Sequence, residues 1–96
     1  MSSLHTINGT PSTALLQSCL QLLGKGDGIL FLEDGVYYCI DEDLLQTLPE
    51  KTALYGLRED LAARGLLEKC ADRLEVVAYR RFVELSTEYD KVVSWF

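Results

Sequence analysis

Apolar residues in this chain gather into short unbroken runs, and most runs are followed by a stretch with helical spacing. Leu4 to Ile7 reads as a first strand. Asn8-Gly9-Thr10-Pro11 is turn chemistry, and Ser12 or Thr13 can cap a helix over roughly Thr13 to Leu23. Leu15, Leu16, Cys19, Leu20, Leu22 and Leu23 share one face of that helix, and Gln17, Ser18 and Gln21 share the other. Gly24 ends it. Ile29 to Leu32 is apolar at every position, the pattern of a central parallel strand covered on both faces.

Glu33-Asp34-Gly35 breaks this second strand inside the stretch "GDGILFLEDGVYYCI". Val36 to Ile40 fits either the start of a second helix or continued extended chain. Asp41 caps a short helical stretch through Leu48, and Pro49 stops it. Thr52 to Leu57 reads as a third strand. Arg58 to Arg64 reads as a helix, with Glu59 and Asp60 in its first turn, Arg64 in its last and Gly65 beyond, an order that complements the helix dipole. Leu74 to Tyr79 is a fourth strand, and Phe82 to Tyr89 a last helix with Phe82, Leu85 and Tyr89 on one side. The chain ends in "VVSWF". This alternation predicts an α/β fold: a small three-layer domain over residues 1–96, with a central, mainly parallel sheet of four to five strands.

Composition narrows the function. The chain has 96 residues, 48% of them hydrophobic, and a net charge of −6, which opposes a direct grip on a phosphate backbone. The apolar runs are far too short to cross a membrane, and the N-terminus lacks a basic start and an apolar core of signal-peptide type. Three cysteines at wide spacings form neither a zinc pattern nor a C-x-x-C pair, so no metal or cofactor site is expected, and the odd count fits a reducing, cytoplasmic setting.

Several motifs invite chemistry. "GKGDG", Gly24 to Gly28, follows a helix and precedes a strand, the reverse of a phosphate loop, and reads as a helix stop and turn. Asp41-Glu42-Asp43 lacks the spacing of a calcium loop. His5 is the sole histidine, so any histidine-activated nucleophile would have to use it; a hydrogen-bonded structural role is the default. Cys19 lies within the apolar stripe of the first helix, where a thiol packs as a small hydrophobe. Tyr37 and Tyr38 precede Cys39 and can shield it. Cys70, in a connection, is the cysteine expected to be most exposed. Trp95 and Phe96 at the C-terminus must pack on their own domain or fill a pocket on a partner.

The segments "SLHTIN", "GDGILFLEDGVYYCI", "LYGLREDLAARGL" and "VVAYRRFVELS", with a terminal tryptophan segment, resemble in order and spacing the TusB/DsrH family of sulfur-relay subunits, within the DsrE-like superfamily. The resemblance covers nearly the whole chain. It implies a hetero-oligomeric complex with two paralogous subunits that passes persulfide sulfur to a small acceptor protein, either for 2-thiouridine formation at the tRNA wobble position or for oxidation of stored sulfur. In the catalytic sister subunit the sulfur-carrying cysteine ends a strand. The matching place here falls near Gly56 or Leu57, where there is no thiol. The resemblance therefore implies a mainly structural and docking subunit, with "LEDGVYYC" as a structural corner and subunit contact that includes Tyr37 and Tyr38. Some DsrH-like members carry a cysteine on the first helix, which keeps Cys19 as a candidate sulfur acceptor. The alternatives are a stand-alone thiol enzyme using Cys19 or Cys70, and a homo-oligomeric adaptor.

Overall fold

The computed structural model describes residues 1–96. Five strands form one all-parallel sheet: β1 Ser3–Ile7, β2 Gly28–Phe31, β3 Ala53–Leu57, β4 Glu75–Val77 and β5 Lys91–Trp95, in the spatial order β4-β3-β2-β1-β5. The helices are α1 Leu15–Gln21, α2 Glu42–Gln46, α3 Arg58–Ala63 and α4 Tyr79–Glu88, with 3-10 helices at Glu33–Ile40 and Leu67–Lys69. No helix is long and apolar enough to cross a membrane.

Chain order explains the layers. The first four strands step across the sheet in one direction, so right-handed crossovers place α1, α2 and α3 on one face. The step from β4 back to β5 runs the other way and puts α4 on the opposite face. Two cores result. Ile7, Ile29, Phe31 and Leu54 of the strands pack with Leu16, Leu45 and Leu61 of the first three helices. The alternate residues Leu4, Leu30, Tyr55 and Val77 pack with Leu85 of α4. Each fully buried side chain of this kind contributes about 1.5–3 kcal/mol.

Three predicted elements shift. The first helix is shorter than its apolar stripe, and Leu22 caps it with an exposed side chain instead of joining the core. β4 stops at Val77, and Tyr79, expected in the strand, begins α4 three residues before the predicted Phe82 start. The last segment is not a tail. It pairs with β1 in parallel register, Leu4 beside Val92 and Ile7 beside Trp95.

The open choice at Val36 to Ile40 resolves as the 3-10 helix that begins at Glu33. Gly35 packs against the backbone of β1, where a β-carbon would collide with the Ile7 carbonyl oxygen. The same oxygen accepts the Leu32 N–H at 3.1 Å. Glu33 takes a left-handed φ of 50°, a strained position for a non-glycine residue. Two contacts hold it there: Asp60 of α3 accepts the Glu33 N–H at 2.5 Å, and Arg64, just past the end of α3, donates to Asp34 at 2.9 and 3.2 Å. Arg73 clamps the next connection, donating to the carbonyls of Leu45, Leu48, Pro49 and Thr52.

Candidate functional site

In an open parallel sheet, reactive groups gather beyond the C-terminal strand ends where successive connections leave toward opposite faces. Here that switch lies between β3, which feeds α3, and β4, which feeds α4. It is also the place where the resemblance sets the catalytic cysteine of a sister subunit. β3 runs directly into α3 without a loop, so the residues at the switch are Gly56, Leu57, Arg58 and Glu59. Leu57 is buried. The first N–H of α4, on Tyr79, donates to both carboxylate oxygens of Glu59, at 3.0 and 3.2 Å. The positive end of α4 is thus already paired with an acid of the same chain.

A thiol does approach this place, from a neighbouring element. A β-carbon on Gly56 would stand 2.8 Å from Cys39 Sγ and 3.2 Å from Leu61 and Leu74. Glycine at position 56 therefore makes the space that Cys39 fills from the 3-10 helix. Cys39 is fully buried, and burial pushes its thiol far above the ordinary range.

Burial shifts the other two thiols in the same direction. Cys19, the candidate acceptor, is fully buried between α1 and the sheet; burial, with a smaller contribution from nearby Asp27, pushes its thiol up to about 12. Cys70 is the least buried of the three, as its position in a connection predicts, but burial raises it as well. Its Sγ donates to the Leu66 carbonyl at 3.5 Å. A thiolate is the nucleophilic form, and a raised value opposes it.

The four aromatic residues expected at a subunit contact separate. Tyr38 turns into the core and packs on Phe31 with ring centres 5.3 Å apart. Tyr37 stays at the surface, and Phe96 is 87% exposed. Trp95 is half-buried at the edge of the sheet, where its indole N–H donates to His5 Nδ1 at 3.1 Å.

His5 lies on the α1 side of β1 and is 3% exposed. Its Nε2 is 2.9 Å from Asp27 Oδ2. Asp27 also accepts the N–H of Gly24 at 2.8 Å and, through Oδ1, the N–H of Ser3 at 2.8 Å. Burial pushes the Asp27 carboxyl up, but the two backbone N–H groups and the His5 ring outweigh it, and the group sits below its ordinary 3.8. The glycine turn that sequence reads as punctuation thus carries a buried carboxylate tying together β1, the end of the α1 connection and, through His5, the edge strand. An aspartate between glycines just before an apolar strand was the available signal; it does not name the partner. No group of three or more His, Cys, Asp or Glu side chains is arranged to hold a metal ion.

Comparison with known proteins gives one consistent result. The family described as DsrH like protein matches residues 10–92. The chain is 38% identical over 94 residues to Protein TusB of Erwinia tasmaniensis, covering 96% of this chain and 99% of that protein. It is 34% identical to Protein TusB of Enterobacter sp. (strain 638) over 96 residues and to that of Photorhabdus laumondii over 94, with the same coverage.

Proposed function

The chain belongs to the DsrH-like family, and from that premise we propose that it is a structural and docking subunit of a cytoplasmic sulfur-relay complex. Two paralogous subunits complete the assembly. One of them carries persulfide sulfur and hands it to a small acceptor protein. The TusB name of the relatives favours the branch that serves 2-thiouridine formation in tRNA over the one that serves sulfur oxidation. The acidic balance agrees, because the nucleic acid is then held by a later enzyme.

The observation that carries the docking role is the state of the thiols. The switch between β3 and β4 presents Leu57 and a Glu59–Tyr79 pair, and each of the three cysteines is held above its ordinary range by burial. A sulfur acceptor at Cys19 would have to leave the core to react. Tyr37, Trp95 and Phe96 remain the side chains proposed for partner contact.

Co-expression with the two paralogous subunits tests the reading. The expected result is a stable hetero-oligomer, and loss of 2-thiouridine from cellular tRNA when this chain is deleted. A self-sufficient homo-oligomer that ignores both paralogues contradicts it.

A further inference from the structure

The hydrogen-bonding capacities around His5 fix its protonation state by elimination. An indole N–H is a donor and nothing else, so the atom that receives it, His5 Nδ1, must offer a lone pair. A neutral imidazole has one donor and one acceptor. The proton therefore sits on Nε2, where it donates to Asp27 Oδ2. In the structure the chain of bonds runs Trp95 Nε1–H to His5 Nδ1, then His5 Nε2–H to Asp27.

We propose that the His5–Trp95 contact is a proton-operated latch on the C-terminal end of β5. One proton taken from solvent onto Nδ1 turns both ring nitrogens into donors. The Trp95 N–H then faces another N–H, and its one side-chain hydrogen bond is lost. The other half of the chain is strengthened by the same event. The Asp27–imidazole hydrogen bond becomes an ion pair, and Asp27 keeps the N–H groups of Ser3 and Gly24. The buried imidazolium thus has a counter-ion, and the partner that must leave is Trp95.

Placement makes that departure feasible. β5 is an edge strand, paired with β1 on one side and open on the other. Trp95 is half-buried and followed by exposed Phe96, whereas His5 and Asp27 are enclosed. The backbone bond nearest the end, Asn8 N–H to the Trp95 carbonyl, is long at 3.4 Å. The other groups that bear on the ring do not compete for the proton. From α1, Cys19 lies near Asp27 and stays a neutral thiol; from β2, the register neighbour is apolar Ile29; from β5, Val93 stands beside His5 and Lys91 is exposed; at the end of α4, the Tyr89 hydroxyl is raised by burial, by its bond to Tyr55 and by Asp27, and stays neutral. The latch does not depend on the proposed role in sulfur transfer and concerns how the edge strand is held.

The molecule carries its own reporters, since it has one histidine and one tryptophan. The test is a titration of the folded chain from about pH 8 to about pH 5, the range in which imidazoles change charge. It follows the His5 ring nitrogens and the indole N–H by nitrogen-15 NMR, with tryptophan emission alongside. The expected result is the Nε2–H tautomer at the alkaline end. A one-proton transition then follows, in which ring protonation coincides with loss of protection at the indole N–H and a red shift of emission. His5→Asn, which keeps an acceptor but cannot titrate, should abolish the transition. An Nδ1–H tautomer at the alkaline end overturns the proposal. So does an indole signal that stays unchanged while the ring titrates, a ring that stays neutral down to acid unfolding, or the same transition in His5→Asn. The wild-type spectra alone decide the matter if that variant does not fold.

Discussion

Gly35 and Ile7 approach so closely that no β-carbon fits between the glycine and the isoleucine carbonyl oxygen. That oxygen lies at the end of β1 and also accepts the Leu32 N–H. The break in the apolar run at Leu32 to Gly35 is therefore a corner in which the chain leaving β2 folds over the end of β1. It begins a 3-10 helix whose Tyr38 and Cys39 complete the core.

Gly35→Ala forces backbone apart at this corner. Overpacking of this kind costs about 1–3 kcal/mol, and for a domain of this size each kcal/mol lowers Tm by about 4–8 °C. Thermal unfolding followed by circular dichroism should show a drop of that order. An unchanged Tm would mean that the corner yields freely.

Asp27 makes stability depend on acid. Its folded value lies below the ordinary one, so its contribution is fully present above the unfolded carboxylate value of about 4 and disappears as pH falls through the folded value. Asp27→Asn should therefore lose about 1–3 kcal/mol at neutral pH. The gap from wild type should close as both are acidified below about pH 4. Urea unfolding at several pH values measures it; a constant gap would show that the carboxylate charge plays no part.

Gly56 and Cys39 should be energetically coupled. Gly56→Ala brings a methyl group to within 2.8 Å of the sulfur, and Cys39→Ala opens the space that methyl needs. The double variant should be more stable than the sum of the single losses predicts, by roughly 0.5–3 kcal/mol. Strict additivity would contradict the packing described here.

Much of this architecture was legible in the residues. The all-apolar run Ile29 to Leu32 marked a covered parallel strand, and Asp41 marked a cap that the structure shows as a 3.2 Å bond to the Leu44 N–H. β5 was hidden because its five residues mix apolar and polar side chains, and an edge strand with one neighbour needs no continuous apolar run. Tyr79 falls outside β4 and opens α4, although aromatic residues favour strands. The Glu59 carboxylate that receives its N–H lies twenty positions earlier and overrides that preference. At the candidate site, His5 and Trp95 could each be singled out, but their pairing could not. It depends on β5 lying beside β1, a contact between residues 90 positions apart.

Burial sets an order of reactivity among the thiols. At mildly alkaline pH a free cysteine is substantially ionised, whereas burial raises all three thiols here and disfavours their thiolates in the folded chain. Alkylation of the native protein should be slow at every site, with Cys70 modified before Cys19 and Cys39, and should become fast on unfolding. Peptide mapping over time reads this directly. Rapid native labelling of Cys19 would show that α1 opens.

In the proposed complex this subunit supplies shape and contact while a neighbouring chain carries the sulfur. Intact-mass and peptide mapping after exposure to a persulfide donor, on the isolated chain and on the complex with its two paralogues, locates the sulfur. The expected result is added sulfur on a paralogue and none on Cys19, Cys39 or Cys70. A persulfide on one of these three cysteines in the isolated chain, passed on to the small acceptor protein, would contradict it.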